Sequence, residues 1–149
     1  MHSVAFQLLR REGGSDPTGS KAARVSVDFV IDGASLLVRL LKADGGRGDF
    51  MGCFVHGFTA ENKSKKLRLE SDLGAETEEG RYLLYLCPEC GDVGCGAYGA
   101  KLRLTESTAE WYDFAYENGY EPGRLLAEVG PFIFARSEYN AVLEVASAA

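Results

Sequence analysis

Long apolar runs and an excess of basic residues are both missing from this chain of 149 residues. Its 16 Lys and Arg residues are outnumbered by 22 Asp and Glu residues, which gives a net charge of −6 at pH 7. Because phosphate groups are bound by clustered cations, this charge predicts that nucleic acid is not a partner. No apolar run approaches the length of about 18 residues that a membrane-crossing helix needs, so we expect no membrane span.

The opening residues predict no secretory signal. The opening MHSVAFQLLRREGG has no basic start followed by a continuous apolar segment, and it has no small-residue cleavage site. We therefore expect a cytoplasmic protein, in which the 4 cysteines stay reduced, bind metal or do transient redox chemistry.

Histidine and the common catalytic motifs are scarce. The chain has 2 histidines, and it contains neither a G-x-S-x-G nor an H-E-x-x-H motif. The glycines at 94, 96 and 99 are not followed by G-K-[ST], which excludes a P-loop. His56 lies in the apolar stretch GCFVHGF, where a core or edge histidine is the simpler interpretation. These absences favour a protein that is not an enzyme.

Length and composition predict one globular domain over residues 1–149. Apolar residues make up 46% of the chain and charged residues 26%, as in ordinary globular proteins. A chain of this length buries about 70% of the surface that its unfolded form exposes. It therefore needs neither disulfides nor a metal in order to fold.

The first part of the chain contains one clear strand followed by one clear helix. Apolar and polar residues alternate over 25–31, which predicts a half-buried strand. Asp32 is a candidate N-cap for a helix over 33–42, since its carboxylate can accept hydrogen bonds from the first turn. A shorter strand is predicted over 4–9, and the segment 11–23, which contains Gly, Ser and Pro, is predicted to be a loop.

The middle of the chain is less regular. Residues 49–58 are predicted to form a strand with a turn. The basic run over 63–68 is flanked by acidic residues and is expected to be a solvated loop, with 65–69 forming a strand or one helical turn. The acidic segment 72–80 is expected to be an exposed loop.

The last third predicts an antiparallel meander of three strands. Residues 81–87 are apolar on both faces, as in a central strand covered on both sides, and 97–104 and 108–117 continue the sheet. Residues 131–134 are predicted to be extended, and 137–146 to form an amphipathic helix. The whole pattern predicts an α+β fold in which about two helices pack on a mostly antiparallel sheet.

Three of the cysteines lie in the stretch LCPECGDVGCGAYG, residues 86–99. The two-residue spacing of Cys87 and Cys90 lets both thiolates reach one ion, and Cys95 can supply a third ligand. Zinc prefers four ligands in a tetrahedron, so a fourth must come from elsewhere in the chain. The predicted zinc ligands are Cys87, Cys90, Cys95 and His56, with Cys53 and Asp92 as other candidates for the fourth position.

Two other interpretations of this stretch stay open. Its glycines favour a winding turn between two strands, in which the cysteines pack as small apolar side chains. A thiol enzyme would need a thiolate stabilised at a helix start, and the glycines that follow Cys90 disfavour such a helix. A disulfide between Cys90 and Cys95 fits the spacing but conflicts with a reducing cytoplasm.

A second candidate site is the aromatic and acidic segment EWYDFAYENGYEP, residues 110–122. If this segment is a strand with one exposed face, its aromatic residues predict a protein contact surface, and its acidic residues, with Asp113 and Glu117 on one face, suit a basic partner. The predicted partner-binding residues are Trp111, Tyr112, Asp113, Tyr116 and Glu117. Alternatively, one face of this strand belongs to the core.

Several segments together resemble a group of uncharacterised bacterial proteins. These segments are the CGDxGCG turn in LYLCPECGDVGCGA (84–97), the W-x-D-F-x-Y-E-N strand (111–118), the closing GPFIFARSEYNAVL (130–143) and, more weakly, VDFVIDGASL (27–36). The resemblance covers about the C-terminal half of the chain. It implies a shared fold unit without an established activity. Some members carry a general oxidoreductase label, but this chain has no nucleotide-binding fingerprint.

Three functional hypotheses follow, in this order. The first is a non-catalytic module that binds a basic protein partner through an acidic surface, by analogy of size and charge with immunity or antitoxin-like proteins. The second is a zinc-binding domain with a structural cysteine site over 87–95. The third is a thiol-dependent oxidoreductase that uses Cys90 or Cys95.

Overall fold

The structure, a computed structural model, describes residues 1–17, 19–46 and 48–149. Its α+β fold packs helices on antiparallel sheets. The strands are β1 Val4–Arg11, β2 Gly14–Asp16, β3 Gly19–Lys21, β4 Arg24–Ile31, β5 Ala34–Ser35, β6 Met51–Gly52, β7 Tyr82–Leu86, β8 Ala97–Leu104, β9 Thr108–Glu117, β10 Arg124–Leu125 and β11 Phe132–Ala135. The helices are α1 Leu36–Ala43, α2 Thr59–Ser71 and α3 Arg136–Ala146. Within the described ranges, no helix has both the length and the apolar character needed to cross a membrane.

Two sheets form the framework of the molecule. The smaller sheet has the strand order β1-β4-β5, and the larger has the order β10-β9-β8-β7-β6, with β11 also paired to β9. The predicted three-stranded meander is confirmed as β7, β8 and β9, each antiparallel to the next. The segment predicted to be a loop over 11–23 contains a short hairpin of β2 and β3, whose exposed strands carry no apolar alternation.

The two sheets meet where the chain following β6 runs beside β4. The Val27 N–H donates to the Phe54 carbonyl at 3.0 Å, and the His56 N–H donates to the Val25 carbonyl at 2.7 Å. Backbone hydrogen bonds therefore join the sheets directly, in addition to side-chain packing.

The main core combines residues of both sheets with residues of α1, α2 and α3. Trp111 of β9 is 1% exposed, and its ring packs edge-on against Phe29 of β4 and Phe134 of β11. Tyr139 of α3 completes this cluster and donates its hydroxyl hydrogen to the Leu69 carbonyl at 2.6 Å. Fully burying a side chain of the size of phenylalanine contributes about 1.5–3 kcal/mol. Aromatic contacts between distant segments thus hold the fold together.

Helix α2 corrects the prediction for the middle of the chain. It occupies Thr59–Ser71, where a solvated loop with a strand or one helical turn is predicted. Its buried side chains are Asn62, Lys65 and Leu69, so it has no apolar stripe that the sequence could reveal. The Asn62 amide is satisfied by hydrogen bonds to both the N–H and the carbonyl of Val55. The described part of the chain therefore contains three helices rather than about two.

The start of α1 also differs from the prediction. Its N-cap is Ser35, whose hydroxyl oxygen accepts a hydrogen bond from the Val38 N–H at 3.1 Å. Asp32 has a φ of 51° and accepts a hydrogen bond from the Ser3 N–H at 2.8 Å. The Asp-Gly pair that begins at Asp32 forms the two-residue turn between β4 and β5, because both residues adopt positive φ.

Candidate metal centre

The cysteine loop, residues 87–96, joins the buried strand β7 to β8. It closes in two turns: the Gly91 N–H donates to the Cys87 carbonyl, and the Gly96 N–H donates to the Val93 carbonyl, both at 2.9 Å. These turns fold the loop back on itself, so that its three cysteines converge.

Gly96 is required by the geometry of the second turn. Its φ is 97°, in the region that residues with a side chain rarely adopt. A Cβ atom at this position would also lie 2.3 Å from the hydroxyl oxygen of Tyr116. The glycine therefore lets the end of the loop pass close to β9.

The sulfur atoms of Cys87, Cys90 and Cys95 all lie within 4.8 Å of one another. Tetrahedral zinc with bonds of about 2.3 Å to sulfur places its sulfur ligands about 3.8 Å apart. The sulfurs of Cys90 and Cys95 are bonded to each other in the structure, so this disulfide must be reduced and the two sulfurs must move apart before one ion can bind all three. Cys87 is half-buried at the end of β7, whereas Cys90 and Cys95 are exposed. Across residues 1–17, 19–46 and 48–149, no imidazole or carboxylate group completes this cluster.

The smaller sheet holds the first turn of the cysteine loop in place. Arg11 Nη2 donates to the Glu89 carboxylate at 2.9 Å, and Arg24 Nε donates to the Pro88 carbonyl at 3.1 Å. The Ala22 N–H donates to the same carboxylate at 3.3 Å. Hydrogen bonds from Arg11 and then from Ala22 lower the pKa of Glu89, which favours its charged form. The loop is thus positioned by strands far from it in sequence.

Cys90 and Cys95 are joined by a disulfide, and Cys87 is a free thiol. A zinc ion at a cysteine site is bound by thiolates. Sulfur atoms that share a disulfide have no thiolate to offer. The disulfide and the three-thiolate metal site are therefore alternative chemical states of the same cluster.

The other predicted ligands for the fourth position lie outside this cluster. His56 is exposed and lines a different cavity, beside Arg10 and Phe58. Cys53 is buried, and burial raises the pKa of its thiol to about 12, which disfavours the thiolate that a metal needs. Asp92 lies within the cysteine loop, but its carboxylate does not join the group of three sulfurs.

A cleft of about 520 Å³ adjoins the cysteine loop, and we call it the metal-side cleft. Two of the three cysteines and three aromatic residues line it. Its walls include Cys87, Cys95, Phe50, Tyr98, Tyr116 and Arg124. The cysteine cluster therefore opens directly onto a space large enough for a small molecule.

A hydrogen-bonded group forms one wall of the metal-side cleft. The Tyr98 hydroxyl donates to Asp44 at 2.8 Å, and Arg124 Nε donates to the same carboxylate at 2.8 Å. The Arg124 guanidinium also lies 4.7 Å from the centre of the Tyr116 ring. Burial, and then the hydrogen bond to Asp44, raise the pKa of Tyr98, so its hydroxyl stays protonated. No sequence motif reveals this group, because Asp44 and Arg124 are 80 positions apart.

Two of the predicted partner-binding residues are buried. Trp111 belongs to the core, and Glu117 is 6% exposed with its carboxylate 3.6 Å from Arg81. Neither side chain can supply contact area to a partner. The alternative interpretation, in which one face of this strand belongs to the core, describes both residues.

The other predicted partner-binding residues have partners within the chain. The Arg103 guanidinium lies 4.5 Å from the centre of the Tyr112 ring, and Asp113 pairs with Lys101 at 3.2 Å. Asp113 has a φ of 49° at a register shift between β8 and β9. This irregularity leaves Asp113 exposed while Glu117 is buried. The prediction that the two carboxylates lie on one face of the strand is therefore wrong. Tyr116 lines the metal-side cleft.

Comparisons with models of protein families, with curated proteins and with solved structures found no match for this chain. The features of this chain that suit a metal ion are the three converging sulfurs and the cleft beside them.

Proposed function

We propose that this protein binds a zinc ion through the thiolates of Cys87, Cys90 and Cys95. The observation that carries the proposal is the convergence of the three sulfurs within 4.8 Å of one another. Thiolate ligands select zinc over magnesium and calcium, which prefer oxygen. Arg11 and Arg24 support the same conclusion, because they hold the loop at the start of the cysteine cluster.

We infer that the stability of the fold does not depend on the zinc ion. The main core is formed by residues outside the cysteine loop, and only Val93 of the loop packs on the smaller apolar cluster around Leu83. Structural zinc sites in small domains supply much of the folding energy themselves. Here the core already supplies that energy, so the metal is available for ligand binding or chemistry.

Thiol–disulfide exchange is a second candidate function, and the disulfide of Cys90 and Cys95 favours it. The Cys87 sulfur lies within 4.8 Å of both bridged sulfurs. As a thiolate, Cys87 can attack one of them, which forms a new disulfide and releases the other sulfur as a thiolate.

The protein-binding hypothesis stands behind these two. The net charge of −6 supports it. Two of its predicted contact residues, Trp111 and Glu117, are however buried and cannot contact a partner. An acidic surface by itself favours encounter with a basic partner rather than a defined contact.

Native mass spectrometry tests the zinc proposal. Protein reduced with a phosphine and kept free of chelator is expected to carry one zinc ion per chain. Cys90→Ser is expected to lose this ion on dialysis, since two thiolates hold zinc less tightly than three. The matched controls are Cys53→Ala and His56→Ala, which we expect to keep it.

The opposite result would be a reduced wild-type chain that stays metal-free in the presence of added zinc, with circular dichroism showing that it is folded. If the same chain then exchanged disulfides with oxidised glutathione in a manner that requires Cys87, thiol–disulfide exchange would take the place of zinc binding.

A further inference from the structure

We propose that the fourth coordination position of the zinc ion binds the thiolate of a small aminothiol, whose ammonium group lies among the carboxylates of the metal-side cleft. This inference rests on the proposed zinc site. It assigns the ligand class of that site: a thiol that carries a positively charged amine a few atoms away.

An open position on the metal follows from the donor set. Three cysteine sulfurs converge, and within the described part of the chain no histidine, aspartate or glutamate joins them. Zinc sites with three protein ligands keep the fourth position for water or an exchangeable ligand. Because Cys87 and Cys95 line the metal-side cleft, a small molecule in that cleft lies beside two of the three sulfur ligands.

The walls of the cleft already bind a cation from the chain itself. The Arg124 guanidinium lies over the Tyr116 ring and donates to Asp44. The Tyr98 ring is packed 4.6 Å from Phe50 and 5.8 Å from Tyr116, measured between ring centres, which continues the aromatic wall. Aromatic faces beside a carboxylate are the surroundings in which amines and guanidines are bound.

Charge favours a cationic ligand over an anionic one. Besides the pair formed by Asp44 and Arg124, the cleft is lined by Asp49 and Glu121. Asp49 pairs with Arg11 at 2.9 Å, and Glu121 accepts a hydrogen bond from the neutral Asn118 amide at 3.2 Å. Three thiolates also exceed the charge of one Zn²⁺ ion. The net charge of the described groups around the metal is therefore negative, and an ammonium group offsets the negative charge that the added thiolate brings.

Sulfur is the donor that suits the metal. A zinc ion with three thiolate ligands is already a sulfur site, and soft ligands favour the addition of a fourth thiolate. On binding, the thiol transfers its proton to solvent as its sulfur displaces a water molecule from the metal. The cleft volume of about 520 Å³ accommodates such a ligand.

Three probes of nearly equal size test the binding of the thiol and the binding of the amine separately. Zinc-loaded protein, reduced with a phosphine, is titrated with cysteamine, 2-mercaptoethanol or ethanolamine, and the ternary complex is followed by native mass spectrometry and calorimetry. Cysteamine is expected to bind about tenfold more tightly than 2-mercaptoethanol, the effect of one charge-assisted contact. Ethanolamine is expected not to form a ternary complex.

Variants locate the contact with the amine. Glu121→Gln is expected to reduce the preference for cysteamine over 2-mercaptoethanol without changing zinc content. Glu106→Gln is the matched control, because Glu106 is an exposed acid in the turn between β8 and β9, away from the cleft.

Equal affinity for the two thiols, tight binding of ethanolamine, or zinc-loaded protein that binds none of the probes would overturn the inference while leaving the zinc site intact. Reduced protein that takes up no zinc would overturn the proposed function first and this inference with it. The zinc content of each sample distinguishes the two failures.

Discussion

Gly52 shows how a single residue lets the two sheets meet. It lies in β6, and its N–H donates to the hydroxyl oxygen of Ser26 at 2.9 Å. A Cβ atom at Gly52 would lie 1.7 Å from the Val27 carbonyl oxygen, closer than two nonbonded heavy atoms can approach. Glycine in a strand often marks such a close backbone approach. Because Gly52 has no side chain, β6 can lie directly beside β4.

Gly52→Ala is expected to lower the free energy of unfolding by about 3 kcal/mol, because the methyl group must push β6 away from Val27. Urea denaturation followed by circular dichroism measures this change. Gly14→Ala is the control: no atom lies within 4 Å of its Cβ position, so a change within about 0.5 kcal/mol is expected. Equal stabilities of the two variants would contradict the close approach.

At the scale of elements, α2 is held in place by a buried ion pair. Lys65 Nζ lies 2.6 Å from the Glu76 carboxylate and donates to the Leu83 carbonyl at 2.7 Å. The Leu83 N–H donates to Glu76 at 2.6 Å, so the same two residues also satisfy β7. These polar contacts attach α2 to β7 of the larger sheet, in addition to the packing of Leu69 in the core.

Lys65→Ala is expected to destabilise the fold by about 3 kcal/mol, since it leaves the largely buried Glu76 carboxylate without its cation. Thermal and urea unfolding measure the loss. Lys63→Ala, on the exposed side of the same helix, is expected to change stability by less than about 0.5 kcal/mol. A Lys65→Ala variant as stable as Lys63→Ala would show that the ion pair does not hold the helix.

For the whole molecule, polar groups are buried without being left unsatisfied. In the part of the chain that the structure describes, every buried side-chain nitrogen or oxygen has a hydrogen-bond partner. Tyr85 donates to Asp28 at 2.6 Å, and Tyr139 donates to the Leu69 carbonyl. Burial raises the pKa of both tyrosines and raises that of Cys53 to about 12. The interior therefore favours the protonated forms of all three groups.

Stability is therefore expected to fall as the pH rises above about 9. In the unfolded chain the Cys53 thiol ionises near pH 8.5 and the tyrosines near about pH 10, whereas the folded chain keeps these protons. Each group then lowers the free energy of unfolding by up to about 1.4 kcal/mol for each pH unit between its pKa in the unfolded chain and its pKa in the folded chain. Melting temperatures measured by circular dichroism from pH 7 to pH 11 are expected to be level below about pH 8 and to fall steadily above about pH 9. A level profile up to pH 11 would contradict the raised pKa values.

Much of the fold could be predicted because the relevant signals are local. Alternation over β4 and the apolar run of β7 indicate strands from a few neighbouring residues, and the three-stranded meander follows from the turns between them. Helix α2 could not be predicted this way, because its buried side chains Asn62 and Lys65 find their partners through the fold.

The sequence by itself determined the α+β class, the meander and the cysteine spacing of the proposed metal site, because each depends on the order of residues close together in the chain. Only the tertiary structure decided that Trp111 is buried, that His56 lies apart from the three cysteines, and that Asp44 and Arg124 meet in a cleft beside them. These features depend on how the two sheets meet and on a register shift in β9, and no short stretch of sequence encodes either.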